Sequence, residues 1–214
     1  MTPIQTIKEF STEYSSFSKE KKFIYDFHGQ LIVDWMDGKG PLPPPIEVNI
    51  DPVNYCQQDC VYCNAIHTMD GSYMPKDHLL ALGYMISNWY IPGAESMPKN
   101  IQEKLRVKAV CFAGGGEPTI HEHLGYAIKF YTEVCNLETA LISNGLFRSE
   151  DQIFDVAKYC NWVGISIDSG SPEVYRQIRR TDGFHTVIKN CEKLANWMPE
   201  KKRGKEGIKA GLGM

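Results

Sequence analysis

Cys56, Cys60 and Cys63 stand in the spacing Cys-x3-Cys-x2-Cys, directly after a strand-like run. Thiols this close cannot all serve as ordinary core residues. They converge on one small volume, which a metal centre needs and a disulfide pair does not. Three thiolates can hold three irons of a [4Fe-4S] cluster and leave the fourth iron open to another ligand. Zinc is the rival reading, with His67 completing a Cys3His set. Free cysteines buried as small hydrophobes are the plainest reading.

A second constellation is Gly114-Gly115-Gly116-Glu117-Pro118. Glycines let a backbone approach a ligand closely, and the Glu117 carboxylate can receive an ammonium group. A phosphate cradle is the usual rival for such a loop. However, the P-loop needs Gly-Lys-Ser/Thr, and the dinucleotide fingerprint needs Gly-x-Gly-x-x-Gly opening a helix; neither is present. An acidic residue also repels phosphate, so the loop favours a cationic or zwitterionic ligand. Ser143-Asn144-Gly145 reads equally as pocket lining or as a turn, because Asn-Gly is turn chemistry. Asp168 can serve a ligand or cap the next helix, a job for which Ser171 is better placed.

The elements that must position these residues alternate. Residues 46–51 have the period-two pattern of a first strand and run into the cysteine loop. A helix follows over 75–90, with Leu79, Leu82, Met85, Ile86 and Trp89 on one face. Residues 91–106 look like an insertion. Strand two is expected over 107–113, and a helix over 121–135 with Leu124, Ile128, Tyr131 and Val134 inward. Strand three is 139–142. The next helix, 151–159, has Ser149 as N-cap and Ile153, Phe154 and Ala157 inward. Strand four is 162–167, helices follow over 172–179 and 185–197, and a charged loop (200–206) leads to a fifth strand at 208–213. Repeated strand–helix units argue a parallel α/β sheet, a partial (β/α) TIM-like barrel truncated at strand five. Each strand's C-terminal end carries unusual residues, and in such barrels sites are assembled at that end. Residues 1–45 form a separate lead-in: polar and partly helical to about residue 22, then an arm closed by Pro41, Pro43, Pro44 and Pro45 as a stiff linker. The core domain is 46–214.

Composition narrows the setting. The 214 residues are 43% hydrophobic and 23% charged with net charge −3, which suits an ordinary globular chain. No basic stripe favours nucleic acid. No run is long enough to cross a bilayer, and no apolar signal core opens the chain. The seven cysteines are an odd number, and the reducing cytoplasm is the expected compartment. Cys111, Cys135, Cys160 and Cys191 are isolated on predicted elements and expected to pack in the core.

The cysteine loop, with Tyr62 just before its third cysteine, together with Gly-Gly-Glu-Pro after strand two, resembles the double signature of the radical S-adenosylmethionine (SAM) superfamily over residues 46–213. The resemblance implies that Cys56, Cys60 and Cys63 hold a [4Fe-4S] cluster whose open iron chelates SAM. Gly115, Gly116 and Glu117 would meet the methionine amino group, and the backbone of Tyr62 would lie beside the adenine. Ser143 and Asn144 would line the pocket, while Ser166 and Asp168 would contact the SAM ribose or carboxylate. Arg179 matches an Ile-Arg pattern closing the short helix after strand four, with surface solvation as its alternative. The implied chemistry is one-electron cleavage of SAM to a 5′-deoxyadenosyl radical that abstracts hydrogen from a substrate. The electron would come from a donor such as flavodoxin or ferredoxin. Residues 34–40 are similar to the opening segment of family members with a C-terminal cluster-binding extension, several of which modify peptides. The substrate itself is not legible, and the chain reads as the N-terminal portion of a longer enzyme or as a protein that borrows a partner's surface.

Overall fold

A computed structural model of the protein describes residues 26–103, 105–199 and 208–211. The expectations for residues 1–22 and for the 200–206 loop lie outside them. The described lead-in opens with a helix, α1 (Asp26–Met36), followed by the proline segment without regular structure. The alternation then appears as β1 (Glu47–Ile50), α2 (Lys76–Ser87), α3 (Lys99–Gln102), β2 (Ala109–Phe112), α4 (Leu124–Glu133) and β3 (Glu138–Ser143). It continues through α5 (Glu150–Tyr159), β4 (Trp162–Ser166), α6 (Pro172–Arg179), α7 (Phe184–Trp197) and β5 (Ile208–Gly211). The expected insertion before β2 carries α3 and a 3-10 turn, Ala94–Ser96.

The five strands pair in parallel in the order β1-β2-β3-β4-β5. Sequential order is that of a barrel wall; a doubly wound sheet would reverse at a switch point. The described strands therefore form an open, partial (β/α) barrel. α2 packs on α4, α4 on α5 and α5 on α7, so these four helices lie side by side as an outer layer. Register brings the strand ends level: Ile50 pairs with Phe112, Phe112 with Leu141, Ser143 with Ile165 and Ser166 with Gly211. Loops leaving those ends are thereby neighbours, although they are far apart in sequence.

The core lies between sheet and helices. Val110, Phe112, Leu141, Val163 and Ile165 meet Leu79, Ile128, Tyr131, Val156, Val187 and Leu194, all buried. Each such side chain contributes about 1.5–3 kcal/mol relative to exposure. Helix ends follow local chemistry. The Ser149 hydroxyl accepts from Gln152 N (3.2 Å) at the start of α5, and Ser171 accepts from Val174 N (3.3 Å) ahead of Pro172 in α6. Asp168 is not the cap of α6.

Three helix faces differ from the periodicity reading. On α2 the buried line is Leu79–Gly83–Ile86, whereas Met85 is 69% exposed and Trp89 49%. The cause is Gly83, against which the Tyr131 ring lies so closely that an added Cβ would sit 2.4 Å from it. Having no side chain there turns the contact line away from Met85. Val134 lies just past the last turn of α4 and is exposed. Phe154 is half exposed at the edge of the helix layer, its ring edge-on to Trp197 at 5.9 Å. Cys111, Cys135 and Cys160 are buried and Cys191 half-buried, as core packing requires.

Candidate active site

The loop leaving β1 carries Cys56, Cys60 and Cys63. Cys60 is buried and the other two are half-buried. A turn is closed by Cys63 N donating to the Cys60 carbonyl (3.0 Å), and Val61 N donates to the Ile178 carbonyl (3.0 Å) on α6. The loop is thus stitched to the far side of the sheet's C-terminal rim.

The glycine run leaving β2 packs against this loop. The Asp51 carboxylate accepts from Gly115 N (2.7 Å) and Gly116 N (3.3 Å), and Glu117 N donates to the Tyr55 carbonyl (2.8 Å). A Cβ on Gly116 would sit 1.7 Å from the Val53 carbonyl oxygen, and one on Gly114 would sit 2.3 Å from Asp51 Cγ. The absent side chains at Gly114 and Gly116 therefore serve loop-to-loop contact. Gly115 is roomier, with Ala65 Cβ at 3.3 Å as the nearest neighbour of an added Cβ.

Glu117 is buried, yet its oxygens are well supplied with donors. Oε1 accepts from Thr119 N (3.0 Å), Thr119 Oγ1 (2.7 Å) and Ser143 Oγ (2.7 Å), and Oε2 accepts from Asn144 N (2.7 Å). Burial pushes the carboxyl above its ordinary range, against the pull of these donors toward the charged form. The Ser143-Asn144-Gly145 exit of β3 is both turn and link. Gly145 has φ +81°, and Asn144 Oδ1 accepts from Leu146 N (2.9 Å). Asn144 Nδ2 points at Cys56 Sγ (3.7 Å), which also receives Gln58 N (3.4 Å).

The β4 exit adds the remaining members. Asp168, at φ +58°, holds a conformation unusual for a residue other than glycine. Its carboxylate receives both the Tyr62 hydroxyl and an ion pair from Arg179. Burial and the Asp168 bond push the Tyr62 hydroxyl upward. Arg179 is buried rather than solvated. Its Nη1 donates to Cys60 Sγ (3.4 Å) and Gln58 Oε1 (3.4 Å), and Nη2 to the Ser166 carbonyl (2.7 Å). Burial disfavours its charge, and Cys60 and Asp168 more than restore it.

The candidate residues from the sequence other than His67 therefore lie at four neighbouring strand exits, joined by direct bonds within and between them. Sequence reasoning missed three participants. Asp51 had a signal, an acidic residue ending the strand next to the glycine run. Gln58, buried and bonded to the Tyr175 hydroxyl (2.7 Å), and Thr119 had none. His67 does not join the site; it is exposed in a 3-10 turn, Ala65–His67.

Ligand chemistry can be weighed on these contacts. A tetrahedral zinc ion draws its sulfurs to about 2.3 Å from one centre. A structural zinc site takes four protein ligands, and with His67 exposed in its own turn three cysteines remain. A [4Fe-4S] cluster with one open iron takes three thiolates. Backbone, amide and guanidinium N–H groups aimed at Cys56 and Cys60 suit sulfurs carrying negative charge, as cluster ligands do. The donor set fits a cluster better than zinc.

The profile of the Radical SAM superfamily matches residues 50–199. One curated relative is the UPF0026 protein MJ1312 of Methanocaldococcus jannaschii, 24% identical over 153 residues, which are 66% of this chain and 43% of that protein. Another is the S-adenosylmethionine-dependent nucleotide dehydratase RSAD2 of Siniperca chuatsi, 25% identical over 184 residues, 74% of this chain and 46% of that one. Among solved structures, Streptococcus suis SuiB bound to S-adenosylmethionine superposes with a TM-score of 0.58 at 17% identity, covering 94% of this chain and 41% of SuiB. The enzyme anSMEcpe with bound AdoMet and a peptide does so with a TM-score of 0.53 at 21% identity, covering 78% and 42%. The chain spans less than half the length of each of these proteins. The superpositions establish a shared fold, and the profile, which accounts for well over half of the residues, establishes that this chain belongs to the radical SAM superfamily.

Proposed function

We propose that Cys56, Cys60 and Cys63 hold a [4Fe-4S] cluster and that the four strand exits bind S-adenosylmethionine at its open iron. When bound, that pair supplies a 5′-deoxyadenosyl radical able to abstract hydrogen from a substrate. The protein's share is binding, orientation and exclusion of water. Gly115, Gly116 and Glu117 receive the methionine amino group. Glu117 is held for this by Thr119, Ser143 and Asn144, which leave Oε2 with one hydrogen bond among the described residues. Tyr62 lies beside the adenine, Ser143 and Asn144 line the pocket, and Ser166 and Asp168 meet the ribose or carboxylate. The observation that carries the reading is the pair of N–H···S contacts from Asn144 and Arg179, which tie two of the three cysteines to the exits of β3 and β4.

The substrate class favoured here is a peptide. SuiB has been seen with its precursor peptide SuiA, and its fold matches with a TM-score of 0.57. Residues 46–214 form the core and 1–45 the lead-in arm. Among the described residues no helix is long and apolar enough to cross a membrane, and a cytoplasmic setting with a flavodoxin- or ferredoxin-type electron donor completes the proposal. The test is anaerobic iron–sulfide reconstitution, then SAM and dithionite, with 5′-deoxyadenosine quantified beside a Cys60→Ala control. Brown protein whose product vanishes in the control supports the reading. Colourless protein that takes up zinc instead sinks it.

A further inference from the structure

Three cysteines and the side chains of Asp51, Glu117 and Asp168 share one rim, and a cluster bound there would bring negative charge to it. Of the two arginines near the cysteine loop, Arg180 is exposed and paired with Asp59 (2.9 Å). Arg179 is different: its side chain is 6% exposed, in contact with Cys60 Sγ, and under the Tyr62 ring at 5.6 Å. Its Nε has no hydrogen-bond partner among the described residues. A buried donor without an acceptor is costly, and sulfur held beside Cys60 is an acceptor of the kind it lacks. A guanidinium this deep, with one edge on a carboxylate and another on a cysteine sulfur, cannot be accounted for as surface solvation.

We infer that Arg179 is a positioning residue that sets the reduction potential of the cluster through Cys60, with Asp168 fixing its orientation and partly neutralising it. This rests on the proposed function above. Reduction would add negative charge at a cluster held there, and a cation beside one of its thiolates would favour the reduced form. The Asp168 carboxylate opposes that effect. The two residues therefore act on the potential in opposite directions, whereas a purely structural pair would damage the site in the same direction.

The experiment is a dye-mediated redox titration of reconstituted protein without SAM, followed by electron paramagnetic resonance, with iron and sulfide assayed in parallel. Arg179→Gln is expected to lower the potential by a tenfold or larger change in the reduction equilibrium, about 59 mV for one electron. Arg179→Lys, which keeps the charge, should recover most of that shift, and Asp168→Asn should raise the potential. An unmoved potential in Arg179→Gln at normal iron content overturns the inference, as does a shift in the lysine variant as large as that in glutamine. If Arg179→Gln takes up no iron, Asp168→Asn decides: a rise supports the inference and an unmoved or lower value overturns it. Wild-type protein that never loads a cluster refutes the proposed function. Wild-type protein that loads and cleaves SAM while the variants fail these outcomes refutes only the role of Arg179.

Discussion

Replacing Gly116 by alanine separates two explanations of the glycine run, close approach of a ligand and close approach of the chain to itself. The new Cβ would lie 1.7 Å from the Val53 carbonyl oxygen and 2.8 Å from both Tyr55 N and Tyr55 O. All three are backbone atoms, so no side chain can swing aside. An ordinary carbon–oxygen contact begins near 3.3 Å, so the two loops must part by about 1.6 Å at this point. That movement breaks the bond from Glu117 N to the Tyr55 carbonyl (2.8 Å) and strains the bonds from Gly115 N and Gly116 N to Asp51. Overpacking costs about 1–3 kcal/mol and an abandoned buried hydrogen bond a similar amount, which places the loss near 3 kcal/mol or above. For a chain of this size the melting temperature should fall by about 6–12 °C. Gly115→Ala is the internal control, because its Cβ meets Ala65 Cβ at 3.3 Å and should cost under about 1 kcal/mol. Urea unfolding of the reduced apo proteins, with no ligand present, measures both. A Gly116→Ala variant as stable as wild type, or a Gly115→Ala variant equally damaged, would refute the packing argument.

Gly83→Ala drives a methyl group into the Tyr131 ring and should destabilise the protein by about 1–3 kcal/mol, read as a lower urea midpoint at unchanged slope. His121 supplies a pH dependence. It is buried, stacked on Tyr73 at 4.2 Å, and bonded through Nε2 to the Met74 carbonyl (2.8 Å) while Nδ1 accepts from His123 N (3.2 Å). Burial holds its pKa below the ordinary value, with the Met74 bond opposing and His123 assisting. The unfolded chain therefore takes up this proton first, so the stabilisation is complete above about pH 6.5 and is lost as pH falls below it. Urea midpoints at pH 7.5 and 5.5 should differ less in His121→Gln than in wild type. Asn144→Ala removes the amide that points at Cys56 Sγ, and iron retained after gel filtration should fall about tenfold, with the urea midpoint of the apo protein as the check on folding.

The cysteine spacing, the strand–helix alternation and the caps at Ser149 and Ser171 could be read in the sequence because each is a local pattern, closed within a few residues. So could the placing of the candidate residues at strand exits, since a parallel sheet in sequential order brings those exits together whatever the loops contain. Side-chain partnerships could not. The carboxylate of Glu117 is held by residues 26 and 27 positions away, and Arg179 reaches a cysteine 119 positions away. Whether Arg179 is solvated or buried is therefore decided by how α6 sits over the cysteine loop. The same holds for α2, whose periodicity admits Met85 and Trp89 on the inner face until Tyr131, from another helix, fills the space over Gly83. Composition and spacing alone determined that this chain presents a cysteine loop and a glycine–glutamate loop at the ends of neighbouring strands. Only the tertiary structure decided what holds each group there, because burial and hydrogen bonding depend on atoms that come near one another only after the chain has folded.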